Sequence, residues 1–166
     1  MIISFAGHSA IEKKEKVKFA VKEQLRPIIS QYISITFYLG GYGDFDEICA
    51  CACRELKRDL PNIELVYVTP YNTLSEQAKI KELLRLKLYD SSLYPPLEGT
   101  INKFAILNRN KWMMSNADLI ITYIQYKFGG AYKSVLEAQR RKKKIINIFE
   151  IINSSAENQN SKNTNR

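Results

Sequence analysis

Five short runs of apolar, β-branched and aromatic residues divide this chain: IISF at residues 2–5, ISITFYL at 33–39, IELVYVT at 63–69, LIITYI at 119–124 and IINIF at 145–149. Strands that face water on one side alternate apolar and polar residues, whereas these runs are nearly continuous, which is the pattern of strands buried on both faces. Stretches with helical spacing separate them, and strand–helix alternation repeated five times belongs to a mainly parallel sheet with helices on both faces. Right-handed crossovers then predict a doubly wound, Rossmann-like α/β domain with five strands, in which ligands bind beyond the carboxyl ends of the strands.

Between the runs, Val17, Ala20, Val21 and Leu25 recur at helical spacing among lysines and glutamates, predicting a helix over about residues 10–26 that bends or ends near Pro27. Ile48, Cys49, Ala52, Cys53, Leu56 and Leu60 trace one face of a second helix that stops at Pro61. Residues 73–89 have helical character, and Ser91, Ser92, Pro95, Pro96 and Gly99 then mark an irregular excursion of the kind that is often functional. Further helices are expected through ILNRNKWMMSNA and AYKSVLEAQRRKK, with Trp112, Met113 and Met114 in the core. Residues 1–152 are expected to form one domain. Residues 153–166 are almost devoid of apolar side chains and are expected to be a disordered polar tail.

The three cysteines, in the pattern CACAC, form an odd, clustered set that makes a poor disulfide framework, and with one histidine in the chain they make a poor zinc site. Core packing accounts for them. No metal or cofactor is implied. No apolar stretch approaches the roughly 20 residues that cross a bilayer, and the first residues lack the pattern of a secretory signal, so a cytoplasmic location with no membrane partner is the expectation. The net charge of +8 permits nucleic acid or nucleotide phosphate as a partner. Much of the excess lies on the early helix and in Arg140, Arg141, Lys142, Lys143 and Lys144, where a helix should end and cations suit its dipole.

Four loops fall on the same edge of the predicted sheet: AGHS, GGYGDFDE, YNTLSE and FGGAYKS. In GGYGDFDE, three glycines suited to a tight turn or a phosphate cradle are followed by three acids. Asp44 is placed to cap the following helix, or to meet a ligand. Backbone N–H groups of Gly40, Gly41, Gly43, Gly129 and Gly130 are candidates for binding an anion, and Asp46 and Glu47 for binding the hydroxyls of a ribose. Gly7 and the sole histidine, His8, close the first strand. Arg109, in the otherwise apolar FAILNRNKWMM with Asn110 beside it, is either a surface residue or a phosphate clamp whose planar donor fork suits an oxyanion. Lys133, in a first helical turn where a cation is disfavoured, points to an anion nearby. Glu98, in the loop YPPLEG, is an acid that can fold over the site. A GxxxxGK[ST] loop, a G-x-G-x-x-G fingerprint and a metal motif are all missing.

In order along the chain, FAGHS, FYLGGYGDFDEIC, YPPLE, RNKWMMSNADLIITYI and GGAYKSVLEA resemble the SLOG superfamily, which includes the DNA-processing protein DprA/Smf, Lonely-guy phosphoribohydrolases and YpsA-like proteins. The likeness spans residues 2–149 and is strongest to bacterial YpsA-like members. It implies a Rossmann-like fold that binds nucleotides or nucleotide-derived ligands. The phosphoribohydrolases carry an Arg-Lys pair and, after the next strand, PGGxGTxxE. Arg109 matches the arginine and Gly129 and Gly130 the glycine pair, but Asn110 replaces the lysine, and Tyr132, Lys133 and Leu136 stand where glycine, threonine and glutamate belong. Three functions follow as expectations. The first is a nucleotide-binding or sensing domain, expected as a homo-oligomer. The second is an enzyme that cleaves or transfers at an N-glycosidic bond, with Asp46, Glu47 and Glu98 as carboxylates and Arg109 on phosphate. The third is single-stranded DNA binding of the DprA kind, prompted by the charge.

Overall fold

The structure, a computed structural model, describes residues 1–97 and 99–154. Six parallel strands form one sheet: β1 (Ile2–Gly7), β2 (Ile35–Leu39), β3 (Ile63–Val68), β4 (Ser91–Leu93), β5 (Leu119–Tyr123) and β6 (Lys144–Asn147). Their order across the sheet is β4-β3-β2-β1-β5-β6. Helices α1 (Lys14–Ile29), α2 (Asp44–Asp59), α3 (Leu74–Arg85), α4 (Asn102–Asn116) and α5 (Gly129–Arg140) connect them, and residues 148–154 form a last short helix after β6.

The continuous apolar runs divide by parity. Ile3 and Phe5, Ile35, Phe37 and Leu39, Ile63, Leu65 and Tyr67, and Leu119 and Ile121 face a core closed by α1, α2 and the last helix. Ala6, Val66, Val68 and Ile120 face the opposite core, closed by Met113, Met114 and Ala117 of the α4 segment and by Val135 and Ala138 of α5. Successive strand residues point to opposite faces, so covering both faces requires apolar residues at both parities. Cys49 and Cys53 are buried free thiols in the first core, and burial pushes both well above the usual thiol range. They serve as small apolar groups.

Three element boundaries differ from expectation. The sixth strand, β4, lies in the stretch read as irregular. It has three residues, pairs only with β3, and offers Leu93 as its one apolar side chain, so no periodicity marks it. Asp90 holds its entry: its backbone N–H donates to the Leu65 carbonyl at 2.9 Å while its carboxylate accepts the Leu65 N–H at 2.6 Å. Helix α1 starts at Lys14, later than predicted, and runs through Pro27 to Ile29. Proline removes one hydrogen bond near the end of that helix, but Ile29 is fully buried in the core and draws the last turn onward. Residues 153 and 154, assigned to the tail by composition, continue the last helix; residues 155–166 lie outside the described residues.

Candidate functional site

The strand order reverses at β1. The chain builds outward from β1 through β2 and β3 to β4, then returns to place β5 on the other side of β1. The loops leaving β1 and β5 therefore diverge, and a crevice opens beyond their carboxyl ends, where doubly wound folds bind ligands. A cavity of about 570 Å³ occupies that position. Its walls include Gly7 and His8 after β1, Tyr42 and Asp46 from the β2–α2 loop and α2, Arg109 and Asn110 of α4, and residues 126 and 128–131 at the entry to α5.

Arg109 is the inner wall. It is fully buried, the largest side chain among the described residues to be so. Nη1 donates to the Val68 carbonyl at 3.0 Å, and the guanidinium carbon lies 5.2 Å from the centroid of the Tyr42 ring. Nε and Nη2 are buried with no hydrogen-bond partner among the described residues. Burial lowers the Arg109 pKa, and the charge of Asp46 opposes that shift. Guanidinium is not deprotonated in proteins, so the group keeps its charge. Leaving such donors unsatisfied in the interior costs on the order of several kcal/mol, so the sequence maintains this arrangement against folding stability.

Asp46 lies close to it. Its Oδ2 accepts the Tyr42 N–H at 2.9 Å, and burial pushes its carboxyl above the usual carboxylate range, countered by Arg109 and by that N–H. The approach of the two groups depends on Gly40. A Cβ there would lie 2.1 Å from Arg109 Nη1 and 2.6 Å from Asp46 Oδ2, so no side chain fits. Gly41 and Gly43 have positive φ, 72° and 93°, and Cβ atoms on them would press on Tyr67 and on the Ser9 backbone. They shape the turn and do not line the cavity.

The three acids of GGYGDFDE go to three destinations. Asp44 does not cap α2: Gly43 occupies the cap position, with no side-chain bond. The Asp44 carboxylate instead accepts the Ile11 N–H at 2.9 Å and the Lys14 ammonium at 2.7 Å, which together hold it below the usual carboxylate range. It thereby ties down the segment between β1 and α1 and lines a separate cavity beside that segment. Asp46 turns inward, and Glu47 is exposed and away from the cavity. Glu98 lies outside the described residues.

His8 clasps the end of β1 to the segment that leaves β5. Its Nε2 accepts the N–H groups of Gln125 at 3.1 Å and Tyr126 at 3.1 Å, which requires that nitrogen to be unprotonated, and burial lowers its pKa in keeping. Gly129 and Gly130 line the cavity at the first turn of α5, which has no side-chain cap; Lys133 is exposed and does not line it. Asn110 lines it beside Arg109.

The loop YNTLSE contributes from behind. Thr73 caps α3 by accepting the Glu76 N–H at 3.3 Å. The Glu76 carboxylate, buried, accepts from the Tyr67 hydroxyl and the Thr69 hydroxyl, both at 2.9 Å. Lys79 donates to the Tyr67 oxygen at 2.7 Å, and its ammonium lies 5.1 Å from the centroid of the Tyr42 ring. Burial, then the bond to Glu76, drives the Tyr67 phenol above its ordinary range. This network backs the Tyr42 ring that covers Arg109. The α3 residues Glu76 and Lys79 were not singled out in the sequence, nor were Tyr42, Tyr126 and Phe128; the spacing of two aromatics just ahead of Gly129 is the one signal that marks the last pair.

These features define a Rossmann-like α/β domain with a polar, arginine-backed cavity at the switch point of its sheet. The same fold is found in solved structures of DNA processing protein A and of a molybdenum cofactor carrier protein. The chain superposes on DNA processing protein A from Helicobacter pylori, described for its single-stranded DNA binding mode, with a TM-score of 0.57 and 15% identity over 95% of this chain and 81% of that one. Against the Streptococcus pneumoniae protein of the same name the TM-score is 0.55 at 11% identity, covering 86% of this chain and 48% of that one, about half its length. The molybdenum cofactor carrier protein of Chlamydomonas reinhardtii gives 0.50 at 15% identity, covering 87% and 73%. At these identities the likeness is one of fold. No family model and no curated protein matches the chain in sequence. Among the described residues, no helix is long and apolar enough to cross a membrane, and no cluster of three or more histidine, cysteine or acidic residues is placed to hold a metal ion.

Proposed function

We propose that this protein binds a nucleotide or nucleotide-derived small molecule in the switch-point cavity, as a binding or sensing domain. The observation that carries the reading is Arg109: a buried guanidinium whose Nε and Nη2 lack partners, in the wall of a cavity large enough for a ligand. A phosphate oxygen supplies what those donors lack, and guanidinium matches it with two parallel bonds. The glycine-rich first turn of α5 offers backbone N–H groups and the positive end of a helix dipole to the same anion. Asp46, an acceptor in the same wall close to Arg109, suits a ribose hydroxyl. Two of the solved structures that share the fold come from proteins described as binding single-stranded DNA or carrying the molybdenum cofactor.

Titration calorimetry of the whole chain with nucleoside monophosphates tests this. Wild type is expected to bind, Arg109→Ala to lose at least tenfold in affinity, and Asp46→Ala to lose less, with both variants folded by circular dichroism. Wild-type affinity in both variants would place the site elsewhere, and a wild type that binds no nucleotide would sink the reading.

One observation favours a second reading, cleavage at an N-glycosidic bond. Asp46 lines the cavity and its carboxyl is pushed upward by burial, as befits a group that exchanges a proton or faces an oxocarbenium-like centre. Release of free base from nucleoside monophosphates, followed by chromatography and abolished by Asp46→Asn, is the expected result under that reading; bound but unaltered nucleotide excludes it. Single-stranded DNA binding draws support from the fold neighbours and the +8 charge alone, and its test is the salt dependence considered below.

A further inference from the structure

His8, Tyr126 and Phe128 form a column of rings. The His8 and Tyr126 centroids are 5.5 Å apart with an interplanar angle of 44°, and those of Tyr126 and Phe128 are 5.4 Å apart at 23°. The base of the column is anchored, because His8 Nε2 accepts two backbone N–H groups of the β5–α5 segment. The outer end is open: Tyr126 is 49% exposed and Phe128 69%. A single exposed phenylalanine is ordinary on a protein surface. This one stacks on Tyr126 at the outer end of the column, and all three rings of the column line the cavity whose walls include Arg109.

We propose that the open face of Phe128 seats the planar heteroaromatic ring of the ligand, which therefore lies with its anionic end inward at Arg109 and its base outward at the rim. The proposal rests on the nucleotide reading above and gives it a direction. An anion gains most at the buried guanidinium, where water is excluded and the donors are free. A base gains from an aromatic face already held in place, since little side-chain freedom remains to be lost on binding. Reversing the ligand would bury a base against a charge and leave the phosphate at an aromatic rim. Lys103, which also lines the cavity, supplies a further cation for a ligand carrying more than one phosphate.

The test uses the full chain and three probes: adenosine 5′-monophosphate and ribose 5-phosphate, which differ by the ring alone, and a single-stranded oligonucleotide. In calorimetric titrations Phe128→Ala is expected to weaken adenosine 5′-monophosphate about tenfold or more and to leave the weaker binding of ribose 5-phosphate unchanged, while Phe128→Trp retains or strengthens nucleotide binding. Equal affinity of wild type and Phe128→Ala for the nucleotide overturns the proposal. So does a parallel loss for both small probes, which marks a structural role, or a loss confined to the single-stranded oligonucleotide, which makes the column a nucleic-acid platform. Each of these results requires a wild type that binds, so they are distinct from failure of the nucleotide reading, in which wild type binds neither small probe.

Discussion

At the scale of single residues, the site is organised by a conflict between stability and binding at Arg109. Its apolar neighbours in FAILNRNKWMM made it conspicuous in the sequence, because a charged residue in that setting is either on the surface or committed to something. The fate of the three acids in GGYGDFDE was not readable. Side chains in a first helical turn fan out by about 100° per residue, so which acid turns inward depends on how α2 is rotated against β1 and β2, a tertiary fact. Gly40 was legible as a turn residue; its real duty, leaving room for Arg109 and Asp46, required the packing of α4. The conflict makes a prediction. Replacing a whole buried ion pair by apolar residues of similar volume is commonly neutral or stabilising by about 1–4 kcal/mol, whereas removing one partner strands the other. The double variant Arg109→Met/Asp46→Leu is therefore expected to melt at or above the wild-type temperature, by differential scanning calorimetry without ligand, while losing nucleotide affinity. A melting temperature clearly below wild type would show that the pair serves the fold and that Arg109 Nε and Nη2 are not reserved for a ligand.

At the scale of elements, the strands buried on both faces were legible because burial on two faces leaves no polar position to interrupt the run. The short edge strand β4 was not, since it borrows its geometry from β3 and from the Asp90 side chain. The join between β1 and β5 shows a further level that composition hides. His8 at the end of β1 bonds to backbone N–H groups past the end of β5, and so closes the two strands that flank the crevice. The imidazole must be neutral to accept those bonds. Its pKa is lowered in the folded state from an ordinary 6.5, so the unfolded chain binds the proton more readily. The contribution of this clasp is complete above about pH 6.5 and is lost as the pH falls through the lower folded value. Urea midpoints are expected to decline as pH is lowered from 7 to 5, and His8→Gln, which cannot titrate, is expected to flatten that part of the profile. Asp44, Glu55 and Glu82, whose folded pKa values are depressed by cationic partners, act only below the carboxylate range, so they do not confound it. An unchanged slope in His8→Gln would assign the pH dependence to other groups.

At the scale of the whole molecule, the open matter is how the +8 charge relates to the site. Part of the excess is occupied within the fold: Lys14 pairs with Asp44, Lys18 and Lys22 with Glu55, and Arg140 and Arg141 with Glu137. The cations that line the cavity are Lys103 and the buried Arg109. Buried charges are screened little by salt, whereas a nucleic-acid surface releases counterions and weakens steeply, with a logarithmic slope of about −0.7 per phosphate neutralised on a single strand. A small ligand held mainly by Arg109 should thus lose only about two- to threefold in affinity between 50 and 200 mM salt, the expectation for one phosphate contact. Single-stranded DNA held by a basic surface making five or six such contacts would lose about a hundredfold over the same interval. Parallel titrations of a mononucleotide and an oligonucleotide across that range decide between the two scales of recognition. The expected outcome is a shallow slope for the mononucleotide and no tighter binding of the longer strand. A steep slope with tighter oligonucleotide binding would move the functional surface from the cavity to the basic exterior, and with it the meaning of the fold that this chain shares with DNA processing protein A.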